Sequence, residues 1–230
     1  MIKKALSSFK DLTVFEWCLW LGSNAAILVS FALFPQDILT LVASLIGATA
    51  LIFVAKGYVL GQVLTCVFAL VYSVISFGQA YYGEMITYLF MTSPIAAAAA
   101  IEWLRHPYKR TRQVEVHKMT RKEIAVMCLW AAGVTAAFYF VLKAMGNASL
   151  LFSTLSITTS FLASYMTYKR SPYYGLGYAS NDLVLIVLWV TSTLQDVSYL
   201  PMVVCFVCFF LNDTYGFFNW KRMQKYQKEH

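Results

Sequence analysis

Lysine and arginine in this chain fall almost entirely in every second polar break between long apolar runs, and that spacing constrains the fold more than any single motif. The N-terminal segment holds Lys3, Lys4 and Lys10, and the second break holds Lys56. The fourth holds Arg105, Lys109, Arg110, Arg112, Lys118, Arg121 and Lys122, the sixth Lys169 and Arg170, and the tail Lys221, Arg222, Lys225 and Lys228. The first, third and seventh breaks carry no basic residue, and Lys143 stands alone before the fifth. About 20 apolar residues cross the hydrocarbon core as a helix, and only helices or closed barrels satisfy their backbone there. The runs near 14–34, 37–55, 59–78, 83–104, 124–145, 149–168, 174–194 and 198–219 meet that length. Basic residues mark the cytoplasmic side. Both termini are therefore expected in the cytoplasm, and an even number of crossings requires them on one side.

Composition agrees with this class. The 230 residues are 60% hydrophobic and only 13% charged, against about 25% in soluble domains. A net charge of +7 would suggest nucleic acid in a soluble protein, but here the charge sits at helix ends, so no nucleic-acid partner is expected. The N-terminal Met1-Ile2-Lys3-Lys4 resembles a signal n-region. No small-residue cleavage site follows, so the first run reads as a retained span.

Enzyme signatures are lacking. His106, His117 and His230 lie in polar segments, and neither H-E-x-x-H nor a nucleotide-binding G-x-x-x-x-G-K-[ST] occurs. All five cysteines lie in apolar runs; Cys205-x-x-Cys208 has no flanking His or Cys and reads as two small apolar residues on one helix face. Neither catalysis, ATP-driven work by this chain, a metal nor a cofactor is expected. The Asn147-Ala148-Ser149 sequon is too common a pattern to carry weight.

A weak internal echo organises the spans. Tyr81-Tyr82-Gly83-Glu84 through Glu102-Trp103-Leu104-Arg105 resembles Val197-Ser198-Tyr199 through Asn219-Trp220-Lys221-Arg222, and the preceding breaks Lys56-Gly57 and Lys169-Arg170 correspond. Spans 2–4 and 6–8 would then be two parallel three-helix repeats, with a pseudo-axis along the membrane normal. The expected division is 1–35 (tail and extra helix), 36–105 (first repeat), 106–146 (basic loop and linker helix), 147–220 (second repeat) and 221–230 (basic tail).

Polar side chains at membrane depth are costly and are functional candidates by default. In span 7, Tyr178 and Asp182 share a helix face, with Trp189 seven residues beyond. A carboxylate beside aromatic rings suits a small aromatic or cationic ligand; the plain alternative is a hydrogen bond between helices. In span 8, Asn212, Tyr215 and Asn219 share a face expected to look into the bundle, while Asp213 lies about 100° round. Gln62 and Tyr88 are candidates in the first repeat. Trp103 and Trp220 read as interface anchors, Glu102 as an ion-pair partner of Arg105, and the Ala96–Ala100 run as helix packing. Pro94, Gly175 and Gly177 are candidate points of bending.

Three segments carry a resemblance: Lys56 to Gly61 with Tyr81-Tyr82-Gly83-Glu84-Met85 and Pro94 to Trp103; Lys169-Arg170 with span 7 up to Trp189; and Asn212-Asp213-Thr214-Tyr215-Gly216-Phe217-Phe218-Asn219-Trp220. They resemble the PnuC family of bacterial vitamin transporters over spans 2 to 8. The resemblance implies an all-α integral membrane protein with eight transmembrane helices. Two three-helix bundles of the SWEET type would be joined by a linker helix, with an extra N-terminal helix, and three chains would form a trimer in the bacterial inner membrane. It also implies facilitated diffusion of an unphosphorylated vitamin precursor, usually nicotinamide riboside, trapped inside by a cytoplasmic riboside kinase. The chain departs from the family at pocket positions, with Gly175, Tyr178 and Asp182 for Trp, Trp and Asn, Ala96 for Gln and Leu64 for Asn. Thiamine, riboflavin or a deoxynucleoside therefore remain alternative substrates, and a substrate-capturing subunit of an ATP-driven transporter is a lower-ranked alternative. A reporter enzyme that works only in the periplasm, fused after His230, should be inactive; activity would reverse the orientation.

Overall fold

In the computed structural model, residues 7–35, 37–78, 82–146 and 149–230 are described. Lys3, Lys4, the Gln79-Ala80 break, Tyr81 and most of the Asn147 sequon lie outside them. Among the described residues, eight helices are long and apolar enough to cross a membrane. They are α1 (Val14–Leu33), α2 (Ile38–Ala55), α3 (Val59–Gly78), α4 (Tyr82–Thr87, Tyr88–Thr92 and Ser93–Arg105 in succession), α5 (Arg121–Ala144), α6 (Leu150–Tyr168), α7 (Tyr174–Thr193) and α8 (Leu200–Glu229). Thr13 with Glu16, and Thr120 with Glu123, close capping boxes at the starts of α1 and α5. The expected spans agree to within a few residues, except that α8 continues to Glu229 instead of ending near 219.

The packing order is a closed ring. Each of α2, α3, α4, α6, α7 and α8 packs on the next, and α8 returns to α2. Helix α1 lies outside against α2 and α8, and α5 lies outside against α6. Within α4, Tyr88–Thr92 forms a π-helical turn in which Ser93 N–H bonds to Tyr88 O. Proline in a regular helix clashes with the carbonyl four residues earlier. The wider π turn just before Pro94 absorbs that clash and redirects the strip carrying Tyr88 and Thr92. Helix α7, by contrast, runs unbroken through Gly175 and Gly177.

At the end of the bundle that holds the basic residues, the ring is closed by two tryptophans. Trp220 Nε1–H on α8 donates to Val54 O in the last turn of α2 (2.9 Å), and Trp103 Nε1–H on α4 donates to Thr167 O in the last turn of α6 (3.0 Å). Each satisfies a carbonyl at a helix end. Both are 0–1% exposed and their rings lie 5.3 Å apart. They are core residues and not the interface anchors expected from their position. The strip 113–117 bridges the same two joints: Val114 N–H bonds to Gly57 O and His117 N–H to Arg170 O. Gly57 (φ 71°) and Arg170 (φ 56°) both turn the chain in the left-handed region, a conformation cheap for the glycine and strained for the arginine.

The same strip explains the long α8. Gln227 donates to Val114 O and accepts from Val116 N–H, while Met223 packs among Trp103, Val114 and Trp220. The last turns thus have a surface to fold against. Glu102 pairs with His106 (3.2 Å) and Arg170 (3.6 Å) and not with Arg105 as expected, so it also ties α4 to the α6–α7 turn.

Helix α1 is fastened by one buried carboxylate. Glu16 is 1% exposed. Its Oε2 accepts from Thr13 N–H (2.7 Å) and Lys56 Nζ (3.0 Å), and its Oε1 accepts from the Tyr215 hydroxyl on α8 (2.7 Å). Lys56 also donates to Asp11 O, and Asp11 Oδ2 accepts from Tyr58 and Arg112. Burial, then the Asp11 carboxylate, push the Tyr58 phenol up to about 12, so it remains a donor. Removing one member of a buried pair strands the other charge, at about 3–5 kcal/mol. Lys56→Met should therefore lower the melting temperature sharply, and adding Glu16→Gln should recover much of the loss; equal loss in single and double variants would show that the pair is not coupled.

Candidate functional site

The close approach of α7 to α8 builds the site. A Cβ on Gly175 would lie 2.5 Å from Asp213 O and 2.6 Å from Phe217 N, so only glycine lets the two backbones meet there. Gly177 plays the same part against Ala163 on α6. Both act as close-approach positions, and two turns beyond Gly175 the contact sets Asp182 beside Asp213.

Those two carboxyls face a cavity enclosed by the ring. It has about 670 Å³ of atom-free space, counting its open mouth, and all six ring helices line it while α1 and α5 do not. Its polar wall comprises Gln62 and Thr65 on α3, Tyr88 on α4, and Tyr178, Asn181 and Asp182 on α7, completed by Asp213. Phe68, Phe206 and Phe209 supply apolar surface. No Lys, Arg or His is among the described lining residues.

Several wall residues are held from behind. Tyr178 OH lies 3.0 Å from Ser164 Oγ, and Asn181 Oδ1 accepts from Ser156 (3.1 Å) and Thr159 (2.9 Å) on α6. Tyr88 packs its ring 4.6 Å from that of Tyr72, whose hydroxyl donates to Glu84 (3.0 Å). Such fixed rotamers leave the cavity shape preformed. Asp182 is different: it is 4% exposed, and among the described residues no N–H or O–H donor reaches its Oδ2. Its acidic neighbour on the wall is the other carboxyl, Asp213.

Of the eight sequence-predicted site residues, Gln62, Tyr88, Tyr178 and Asp182 meet at this cavity. The other four lie elsewhere. Trp189 packs in an apolar cluster with its ring 5.7 Å from Tyr199. Asn212 donates to Ser23 Oγ on α1 (3.0 Å), Tyr215 to Glu16, and Asn219 to Ala55 O (2.8 Å). The Asn212 and Tyr215 side of α8 faces α1, and Asn219 faces the end of α2, so Asp213 is the residue turned to the cavity. The signal for Asp213 was present, as an ionisable group at membrane depth. Among the other rebuilt family positions, Leu64 packs against the Phe53 and Tyr58 cluster, and Ala96 is buried. Cys205 and Cys208 are buried and unbridged. Among the described residues no group of three or more His, Cys, Asp or Glu could hold a metal ion.

A family model described as nicotinamide mononucleotide transporter matches residues 37–222. The chain belongs to this family, the PnuC transporters. It is a family of transporters and not of enzymes, and the chain is a multi-pass membrane protein of bacterial PnuC type. The nicotinamide riboside transporter PnuC of Neisseria mucosa is 23% identical over 225 residues, covering 94% of this chain and 84% of that protein. The protein of the same name from Haemophilus influenzae is 21% identical over 193 residues, covering 83% and 82%. A crystal structure of the vitamin B3 transporter PnuC superposes with a TM-score of 0.81 at 21% identity, covering 94% of both chains. The eight-helix fold is therefore PnuC-like. The matched region begins at α2 and leaves out α1.

The cavity and the α1 joint should separate under mutation. Tyr215→Phe should lower stability by about 1–3 kcal/mol, for a buried acceptor losing a donor, and with it the melting temperature, with uptake by the surviving folded protein unchanged. Gln62→Ala should do the reverse, and a matching fall in uptake from both would refute the separation.

Proposed function

We propose that this chain carries nicotinamide riboside across the bacterial cell membrane by facilitated diffusion, with both termini cytoplasmic and a cytoplasmic kinase trapping the substrate by phosphorylation. The observation that carries the reading is a cavity with two carboxyls, two tyrosine rings and no basic side chain, inside a PnuC-like fold. The pyridinium ring is flat and positively charged. Tyr88 and Tyr178 offer it aromatic faces, a contact of about 0.5–2 kcal/mol, and Asp182 offsets a charge that would otherwise resist leaving water. Gln62 and Asn181 suit the ribose hydroxyls and the carboxamide.

The family description names the mononucleotide, but a phosphate would bring about −1.5 to −2 charges toward this acidic wall. The riboside, named in both relatives, fits the electrostatics better. Thiamine, also cationic, is the runner-up.

Two parallel repeats, 36–105 and 147–220, are part of this reading. Support comes from the paired joints: Trp103 to α6 and Trp220 to α2, Arg170 and Gly57 both at positive φ, and α4–α6 mirroring α8–α2. Rocking of one bundle against the other about the cavity would then open it to each side in turn. Such a pathway needs no external ATPase, which argues against a capture subunit. On α5, Leu129, Trp130 and Phe140 are exposed, an apolar face for lipid or for the other chains of a trimer.

Purified protein in sealed liposomes should take up labelled nicotinamide riboside down its gradient without ATP. Binding without flux would favour the capture subunit. Across nicotinamide riboside, thiamine, riboflavin and deoxynucleosides, the riboside should give the largest melting shift, and Asp182→Asn should weaken it about tenfold, or about 1.4 kcal/mol, while sparing neutral ligands. Stabilisation by a neutral nucleoside alone would overturn the substrate.

A further inference from the structure

The substrate reading above gives Asp213 no contact of its own with the ligand, yet it completes a feature that a cation site alone does not need. Two carboxyl groups from different helices meet at the cavity wall, 4% and 3% exposed. They are acidic neighbours on one wall, and two ionised carboxylates side by side repel, which a proton shared between them relieves. The remaining surroundings give no counter-charge. From α2 come Gly47, Ala50 and Leu51, and from α6 comes Ser160. The titratable neighbours are Tyr178 and Tyr174 on α7, Tyr88 on α4 and Cys205 on α8, with Glu84 and Tyr72 beyond Tyr88. None of these supplies a positive charge. A proton-sharing pair, carrying one negative charge in place of two, is the arrangement that an empty, water-poor cavity tolerates. Asp182 Oδ2, with no donor on it, is the acceptor left for a ligand.

We propose that Asp182 and Asp213 share one proton in the empty cavity and release it when a cationic substrate binds, so that Asp213 is a second charge-selecting residue of the site. The exchange balances: one positive charge enters as the substrate ring, one leaves as a proton to solvent, and the cavity keeps its net charge. The pair thus acts on affinity through pH, because the proton and the cation compete. Its consequence for transport is a stronger grip on cations at the more alkaline face of the membrane. The inference rests on the cationic substrate proposed above, and thiamine, a second cation, separates the two ideas.

The test is calorimetric titration of the unsubstituted protein with nicotinamide riboside, thiamine and a neutral deoxynucleoside, in buffers of different ionisation enthalpy between about pH 5 and 8. Close to one proton should be released per riboside bound, and the dissociation constant should fall about tenfold for each pH unit gained over the window where the pair is protonated. A neutral ligand should release none. Asp213→Asn should still bind the riboside but lose the proton release, because its amide now donates to Asp182 without a shared proton. Release with thiamine and no binding of the riboside would keep the pair and discard the riboside. Binding of either cation with no proton release and a flat pH profile would overturn the proposal, as would failure of both cations to bind folded protein that binds the nucleoside.

Discussion

Ring closure at the basic end rests on two indole N–H groups, and the cavity depends on it. Inside a membrane apolar side chains gain little by leaving lipid, so helices associate through close packing and hydrogen bonds. Trp220 and Trp103 each donate to a carbonyl in the last turn of a helix from the other half of the ring, and their rings touch each other. The strip 113–117 then crosses both joints with backbone hydrogen bonds. One end of the six-helix ring is thereby held shut at the point where its two halves meet. Any motion that opens the cavity at this end has to break these joints or carry them along.

Outside the ring, α1 is attached by charge and α5 by packing. The Glu16 carboxylate collects donors from Thr13, Lys56 and Tyr215, and so ties α1 to the end of α2 and to α8. Buried ion pairs are weak evidence for net stability, since desolvation offsets much of their attraction. Their value here is positional. A carboxylate that must find three donors fixes the register of α1 on the ring. That attachment also occupies the polar stripe of α8, which is why the stripe is turned from the cavity.

The cavity is acidic and aromatic, with its carboxyls supplied by α7 and α8 and its tyrosine rings by α4 and α7. Gly175 is the reason the two carboxyls can meet, because it brings the α7 backbone against that of α8. The acidic character of the cavity is thus set by a helix crossing. Substitution there would be felt in packing before it was felt in ligand binding.

Span number, span boundaries, the basic end and the family were legible in the chain alone, because they follow from local properties: the length of apolar runs, the placing of Lys and Arg, and short motifs such as Asn212 to Trp220. Four of the eight candidate site residues, Gln62, Tyr88, Tyr178 and Asp182, were legible as well, since polar groups at membrane depth are rare and conspicuous. Which way each helix faces was not. Asn212, Tyr215 and Asn219 and their neighbour Asp213 are all polar residues of one helix, and nothing in their spacing says which side a neighbouring helix will cover. That was decided when α1 brought Ser23 and Glu16 against α8, leaving Asp213 to the cavity. The burial of Trp103 and Trp220 was likewise decided by partners distant in sequence. Periodicity reports that a helix has a polar face; only the packing of other helices determines what that face meets.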